Sequence, residues 1–264
     1  MELSDRLVAN LFFLFREYAH ADRFGAAVRA GFKWVEDPWP YDLPLADFKA
    51  ALEASGARLA MVNTPVGDPD RGDFGLGARP GREDDFRAGF ETALDYAEVG
   101  GAPVVHVMVG DVPAAERDGA EAALIANLKW ASARAADEGR RLVIETINTV
   151  DRPDWFVSLT PHAERIIDAV AADNLGLLFD IYHVHKMNED VRGRIAEIPH
   201  RIDHVQVASL PERHEPVGGA IPLETVLADL QAVGYDGFVS GEYNPATTTE
   251  AGIGWIEAYG ARPQ

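Results

Sequence analysis

Arg141-Leu142-Val143-Ile144-Glu145-Thr146-Ile147-Asn148 opens on a short apolar run, Leu142-Val143-Ile144, that ends on a carboxylate. The same form returns three times downstream. Asp180 follows Leu177-Leu178-Phe179, Gln206 follows His204-Val205, and Glu242 follows Phe238-Val239-Ser240-Gly241. The four polar ends are 35, 26 and 36 residues apart, about one strand-plus-helix repeat each. Parallel strands joined by crossover helices produce this rhythm, and in a (β/α)8 barrel the chemistry sits at the carboxyl ends of the strands.

Apolar runs at 7–14, 32–36, 58–63, 103–109, 141–147, 175–180, 202–208 and 238–243 predict eight strands. Between them lie amphipathic stretches. Residues 82–99 carry Phe86, Phe90, Ala93, Leu94 and Ala97 at helical spacing, and 120–136 carry Leu124, Leu128 and Ala131. Gly31, Gly56, Gly100-Gly101, Gly139 and Gly234 stand where helices would end, and Thr160-Pro161 and Ile221-Pro222 where they would begin. No Pro/Ser-rich linker divides the chain. The expectation is an α/β fold, one (β/α)8 TIM barrel over residues 1–264, rather than two domains. Residues 64–81 form the longest irregular piece, with five glycines, and a connection of that length is a candidate lid. Its Gly75-Leu76-Gly77 lacks the spacing of a dinucleotide fingerprint.

The chain holds 24 Lys+Arg against 43 Asp+Glu, a formal charge of −19, and no cysteine. The missing thiol excludes disulfides, thiolate metal sites and a cysteine nucleophile. The charge opposes phosphate backbones and anionic membranes, which points to a small-molecule partner rather than nucleic acid or membrane. No run reaches the ~18 apolar residues of a membrane span, and Met1-Glu2-Leu3-Ser4-Asp5-Arg6 has no basic leader. A soluble cytoplasmic protein is the expectation, and assembly into a homo-oligomer is compatible with it.

Any one polar strand end is most simply a cap where a strand meets solvent. Four in the same place of four successive repeats point to a site. Glu145, Asp180 and Glu242 cannot share a partly buried mouth as bare anions, and a divalent cation removes the conflict. Ligation by carboxylates and the Gln206 amide suits Mg2+ or Mn2+ better than Zn2+. His183 and His185 would face one side if the sixth strand continued, and a turn would part them. His106 reads equally as a core histidine or a ligand contact. Lys186, Arg213 and His214 are candidate cations for an anionic substrate. The acidic run Glu83-Asp84-Asp85 complements a helix dipole.

Glu145-Thr146-Ile147-Asn148, Asp180-Ile181-Tyr182-His183, His204-Val205-Gln206-Val207-Ala208 and Gly241-Glu242-Tyr243-Asn244-Pro245 followed by Thr247-Thr248-Thr249-Glu250-Ala251-Gly252 resemble the hydroxypyruvate isomerases of the sugar isomerase/epimerase barrels. The resemblance extends to Ala9-Asn10-Leu11, Pro40-Tyr41, Asn63 with Gly67-Asp68, and Pro80-Gly81-Arg82-Glu83. It implies a metal site of Glu145, Asp180, Gln206 and Glu242, with Glu145 and Glu242 also the acid/base pair. Substrate contacts would come from His183, Arg213, Asn10 and Asn63. The reaction implied is interconversion of hydroxypyruvate and tartronate semialdehyde. Leu210-Pro211-Glu212-Arg213-His214-Glu215-Pro216 and Val105-His106-Val107-Met108 are closer to the 2-oxo-tetronate isomerases, and Ala220 stands where both groups have an acidic residue. A keto-inositol-type dehydratase could use the same carboxylates and metal. A DNA-repair endonuclease on this scaffold would need a histidine-rich zinc cluster and a basic groove, and eight scattered histidines with a charge of −19 argue against it. A non-catalytic metal-stabilised barrel is the third alternative.

Overall fold

The computed structural model describes residues 5–260, so the leader reading at residues 1–4 and both ends of the 1–264 domain span lie outside the described residues. Eight parallel strands close into a barrel in sequence order. They are β1 Leu7–Asn10, β2 Trp34–Glu36, β3 Arg58–Asn63, β4 Val104–His106, β5 Arg141–Glu145, β6 Leu175–Asp180, β7 Ile202–Val207 and β8 Phe238–Gly241. Pairing of Ala9 with Gly241 closes the ring. The outer layer contains α1 His20–Arg29, α2 Leu45–Ser55, α3 Glu83–Gly100, α4 Ala120–Ala136, α5 Thr160–Val170, α6 Ile181–Lys186, α7 Val191–Glu197, α8 Leu223–Ala232 and α9 Thr249–Gly252. Among the described residues no helix is long and apolar enough to cross a membrane.

Several strands are shorter at the mouth than their apolar runs. β1 stops at Asn10 because that side chain accepts from the backbone N–H of Phe12 at 3.0 Å and Phe13 at 3.3 Å, turning the chain away. β6 ends at Asp180 as its run predicts, and the Asp180 carboxylate accepts from Tyr182 N at 2.8 Å and caps α6. His183 and His185 therefore lie on a helix, not a strand. His183 is buried and His185 is not. The glycine signals at helix ends hold, with Gly56 and Gly101 as left-handed caps.

Two hydrophobic cores divide the interior. The larger fills the space between strands and helices. The smaller lies inside the ring and consists of Met61, Val104, Val143 and Leu178. Side chains alternate along a strand, so the next inward positions toward the mouth are two residues on. Those are Asn63, His106, Glu145 and Asp180. An apolar plug thus supports a polar layer, and the fold itself places that layer at the mouth.

Candidate active site at the barrel mouth

Six strands end on a polar residue, β7 carries Gln206 one position before its end, and β8 is followed by Glu242. The pairings Asn10 with Glu36, Asn63 with His106, and Asp180 with Gln206 set these ends at one level around the ring. Above them is a cavity of about 290 Å3. Asn10, Asn63, His106, Glu145, His183, Gln206, Arg213 and Glu242 line its polar part, and Phe12, Phe13, Trp39 and Phe74 its aromatic part. Asp180 is buried beside it, with Oδ2 at 3.5 Å from His183 Nε2.

The carboxylates are crowded. Burial pushes Glu242 up to about 8 and Asp180 up to about 6. Glu145 is raised well above the carboxylate range, first by burial and then by the charges of Glu242 and Asp180. Arg213 relieves part of this. Its guanidinium donates to Glu242 Oε1 at 2.6 Å and to Asp180 Oδ2 at 3.2 Å, flanked by the rings of Phe13 and Tyr182. Arg213 is thus already committed to the site's own carboxylates.

Two buried acceptors, Glu145 Oε1 and Gln206 Oε1, have no hydrogen-bond partner in the protein. Leaving a buried acceptor unmade is costly, so their orientation suits an incoming electrophile or donor. Among the described residues, Glu145, Asp180 and His183 bring one donor atom each within 4.8 Å of the others and could hold a metal ion. The hydrogen bonds of His183 refine that. Asn148 Oδ1 accepts from Val150 N at 3.1 Å and Asp151 N at 2.8 Å, which directs its Nδ2 toward His183 Nδ1 at 2.6 Å. Nδ1 is therefore an acceptor, and burial drives the ring's pKa well below its ordinary value. A neutral ring accepting at Nδ1 carries its proton on Nε2. His183 presents an N–H to the site rather than a lone pair, so within this group the oxygens of Glu145 and Asp180 are the atoms that could hold a hard cation, and Gln206 and Glu242 line the same cavity.

Asn10 donates through Nδ2 to Glu242 Oε2 at 2.9 Å, and Asn63 leaves Oδ1 unpartnered beside the cavity. His106 lies 3.8 Å from Glu145 Oε2, and burial lowers it to about 3, so it is neutral. Lys186 instead lies over the Tyr182 ring and 3.7 Å from Asp151. His214 is directed to the Asn244 carbonyl at 2.8 Å. Segment 64–81 is tied to the end of β4 by Gly77 N to Met108 O at 3.1 Å and Ala78 N to Val109 O at 2.7 Å. Gly75 is required there, since a Cβ would come within 2.6 Å of the Gly110 Cα. The segment contributes Phe74 to the cavity wall.

Three residues escape the sequence reading. Glu36, at the end of β2, obeys the polar-end rule but lies in the half of the ring away from the four spaced motifs. His204 is an interior position of its run. Asn148 follows the fifth strand as an ordinary loop residue, and nothing in its local pattern reveals its grip on His183.

The sequence profile of xylose isomerase-like TIM barrels matches residues 24–259. The 2-oxo-tetronate isomerase of Cupriavidus necator is 40% identical over 255 residues, covering 96% of this chain and 98% of that protein. The hydroxypyruvate isomerase of Escherichia coli is 35% identical over 255 residues, covering 96% and 99%. A crystal structure described as AP endonuclease, family 2, from Brucella melitensis superposes with a TM-score of 0.93 at 33% identity, covering 98% of this chain and 99% of that one.

Proposed function

The chain belongs to the xylose isomerase-like TIM-barrel family, within its group of hydroxypyruvate and 2-oxo-tetronate isomerases, and on that premise we propose that it shifts a carbonyl between C2 and C3 of a short 2-oxo-3-hydroxy acid. The observation that carries this reading is the cluster of buried Glu145 and Asp180 with half-buried Glu242 at the cavity, where the oxygens Glu145 Oε1 and Gln206 Oε1 are left without a partner.

Glu145 and Glu242 reach the cavity from strands three apart in the ring, so they can address a flat intermediate from different sides. One removes the proton from C3 and the other returns a proton at C2, while the hydroxyl proton passes from the C3 oxygen to the C2 oxygen. Their raised pKa values suit proton exchange near neutrality. The Nε2–H of His183 donates to a substrate oxygen, and Arg213 offsets negative charge beside Glu242. Mg2+ or Mn2+ held by Glu145, Asp180, Gln206 and Glu242 would lower the cost of the enediolate's charge. Asn10 orients Glu242, and Asn63 offers an acceptor to a substrate hydroxyl.

Between the two acids, 2-oxo-tetronate is favoured by segment 210–216 and by the greater identity to the Cupriavidus necator relative. Hydroxypyruvate, which would give tartronate semialdehyde, is the second reading. The two differ by one hydroxymethyl group, and pocket size discriminates by only roughly 1–3 kcal/mol per such group. The description of the Brucella melitensis structure does not lead us to a nucleic-acid substrate, because a charge of −19 opposes a phosphate backbone. The test is a side-by-side assay of both acids with Mg2+, Mn2+ and a chelator. Turnover of one acid at least tenfold better, roughly 1.4 kcal/mol, assigns it. Failure of both with either metal overturns the reading.

A further inference from the structure

Beneath the mouth, on the side of β1, β2 and β7, a carboxylate is fully buried. Glu36 Oε1 accepts from Asn10 Nδ2 at 2.7 Å and Gln206 Nε2 at 2.8 Å, and Oε2 accepts from His204 Nε2 at 2.9 Å. Asn10 spends its own oxygen on the N–H groups of Phe12 and Phe13, so it can only donate here and Glu36 Oε1 can only accept. Whatever else faces that oxygen must donate.

That decides the direction of the Gln206 amide. Gln206 has one NH2 and one oxygen on opposite corners of its amide. With NH2 committed to Glu36, Oε1 must point the other way, and it is the buried, unpartnered atom beside the cavity. Asn10 is fixed from both ends. Its Oδ1 accepts from the N–H groups of Phe12 and Phe13, and its Nδ2 bridges Glu36 Oε1 and Glu242 Oε2. One buried carboxylate oxygen thereby sets the polarity of Gln206 and, through Asn10, the position of Glu242.

We infer that Glu36 is a positioning residue that fixes the Gln206 amide with its oxygen toward the cavity and, through Asn10, holds Glu242 in place. The inference rests on the proposed function in taking a divalent cation as what that oxygen meets. A glutamine at position 36 would keep its oxygen on both amides, because Asn10 can only donate, whereas a leucine would remove the shared acceptor. Gln206 would then be free to turn its NH2 to the cavity, where it repels a cation.

The test is Mn2+ binding by calorimetry on the full-length wild type, Glu36→Leu, Glu36→Gln, Gln206→Leu and the double variant Glu36→Leu/Gln206→Leu. Glu36→Leu is expected to weaken Mn2+ roughly 10- to 100-fold, the usual cost of losing a partner behind a metal ligand. Glu36→Gln keeps the shared acceptor and should bind within about threefold of wild type, whereas a need for the carboxylate's charge predicts a loss like that of Glu36→Leu. Because Glu36 acts largely through Gln206, the double variant should bind within about threefold of Gln206→Leu, far from the product of the single losses. Glu36→Gln also covers a Glu36→Leu protein that fails to fold, since a loss of affinity there overturns the inference by itself. Wild type that binds Mn2+ with Glu36→Leu equal to it, or a folded Glu36→Gln that loses affinity, overturns this inference alone. Wild type without Mn2+ affinity overturns the metal reading with it.

Discussion

Glu36 and Glu145 are both carboxylates buried inside one barrel, at the ends of β2 and β5, and their surroundings are opposite. Glu36 accepts three side-chain hydrogen bonds and is held ionised against its burial. Glu145 stands above an apolar plug, leaves Oε1 without a partner, and is pushed toward its protonated form. Burial alone therefore says nothing about role. A carboxylate whose lone pairs are filled by its neighbours is architecture, and one kept short of partners is held for something that arrives.

The largest expected effect comes from breaking the unfilled side. Glu145→Gln and Glu242→Gln keep shape but cannot exchange a proton, and each should slow isomerisation roughly 10²- to 10⁴-fold. Exchange of the C3 proton with solvent deuterium separates the two roles, since loss of the base abolishes exchange and loss of the returning acid spares it. Wild-type exchange in both variants would sink the two-glutamate scheme.

Stability should respond in the reverse order. Replacing Glu145 by Gln removes a charge that burial already disfavours, so the unfolding free energy should hold or rise. Replacing Glu36 weakens hydrogen bonds to an ionised acceptor and should cost roughly 2–3 kcal/mol. Urea unfolding of the metal-free variants checks this, and equal losses in both would erase the distinction between the two carboxylates.

The pH dependence gives a third contrast. Asp180 at about 6 and Glu242 at about 8 hold protons in the folded state that the unfolded chain releases near its ordinary carboxylate range. Metal-free stability should therefore fall as pH rises from about 5 to about 8. Glu36 has the opposite sign, and its contribution is lost only as pH falls below the ordinary glutamate range. Thermal melts across this range should show the decline, and Glu242→Gln should flatten its upper part. Added Mn2+ should stabilise more strongly at pH 8 than at pH 5, because it competes with those protons.

The barrel was legible in the sequence because parallel strands buried on both faces read as apolar runs, and their repeat length survives in the spacing of residues 145, 180, 206 and 242. What was legible of the candidate site was its set of polar strand ends. The partners of those ends were not. That Arg213 bridges Asp180 and Glu242 depends on a loop returning over the mouth from after β7. That Glu36 lies under Gln206 depends on ring closure across residues 170 apart in sequence. The early end of β1 was hidden for a related reason, since Asn10 spends its side-chain oxygen on its own turn, which an apolar run cannot report.

Asn148 gives the smallest expected effect and extends the rule from carboxylates to a histidine. Its amide donates to His183 Nδ1 because its own oxygen is taken by two backbone N–H groups. Asn148→Asp keeps those two acceptor contacts but turns an acceptor toward Nδ1, which must then carry the proton. Nε2 would present a lone pair beside Glu145 and Asp180 in place of an N–H. Turnover should fall about tenfold, roughly 1.4 kcal/mol, as the donor to substrate is lost, while Mn2+ affinity should rise because the site gains a nitrogen ligand. Asn148→Ala removes the side-chain donor but keeps the backbone N–H of residue 148 on Nδ1 at 3.3 Å, so the tautomer stays and turnover should fall less, with no gain in Mn2+ affinity. The opposite movement of the two readouts in Asn148→Asp is the signature of a reversed tautomer, and a parallel fall in both would mean that Asn148 only supports the loop.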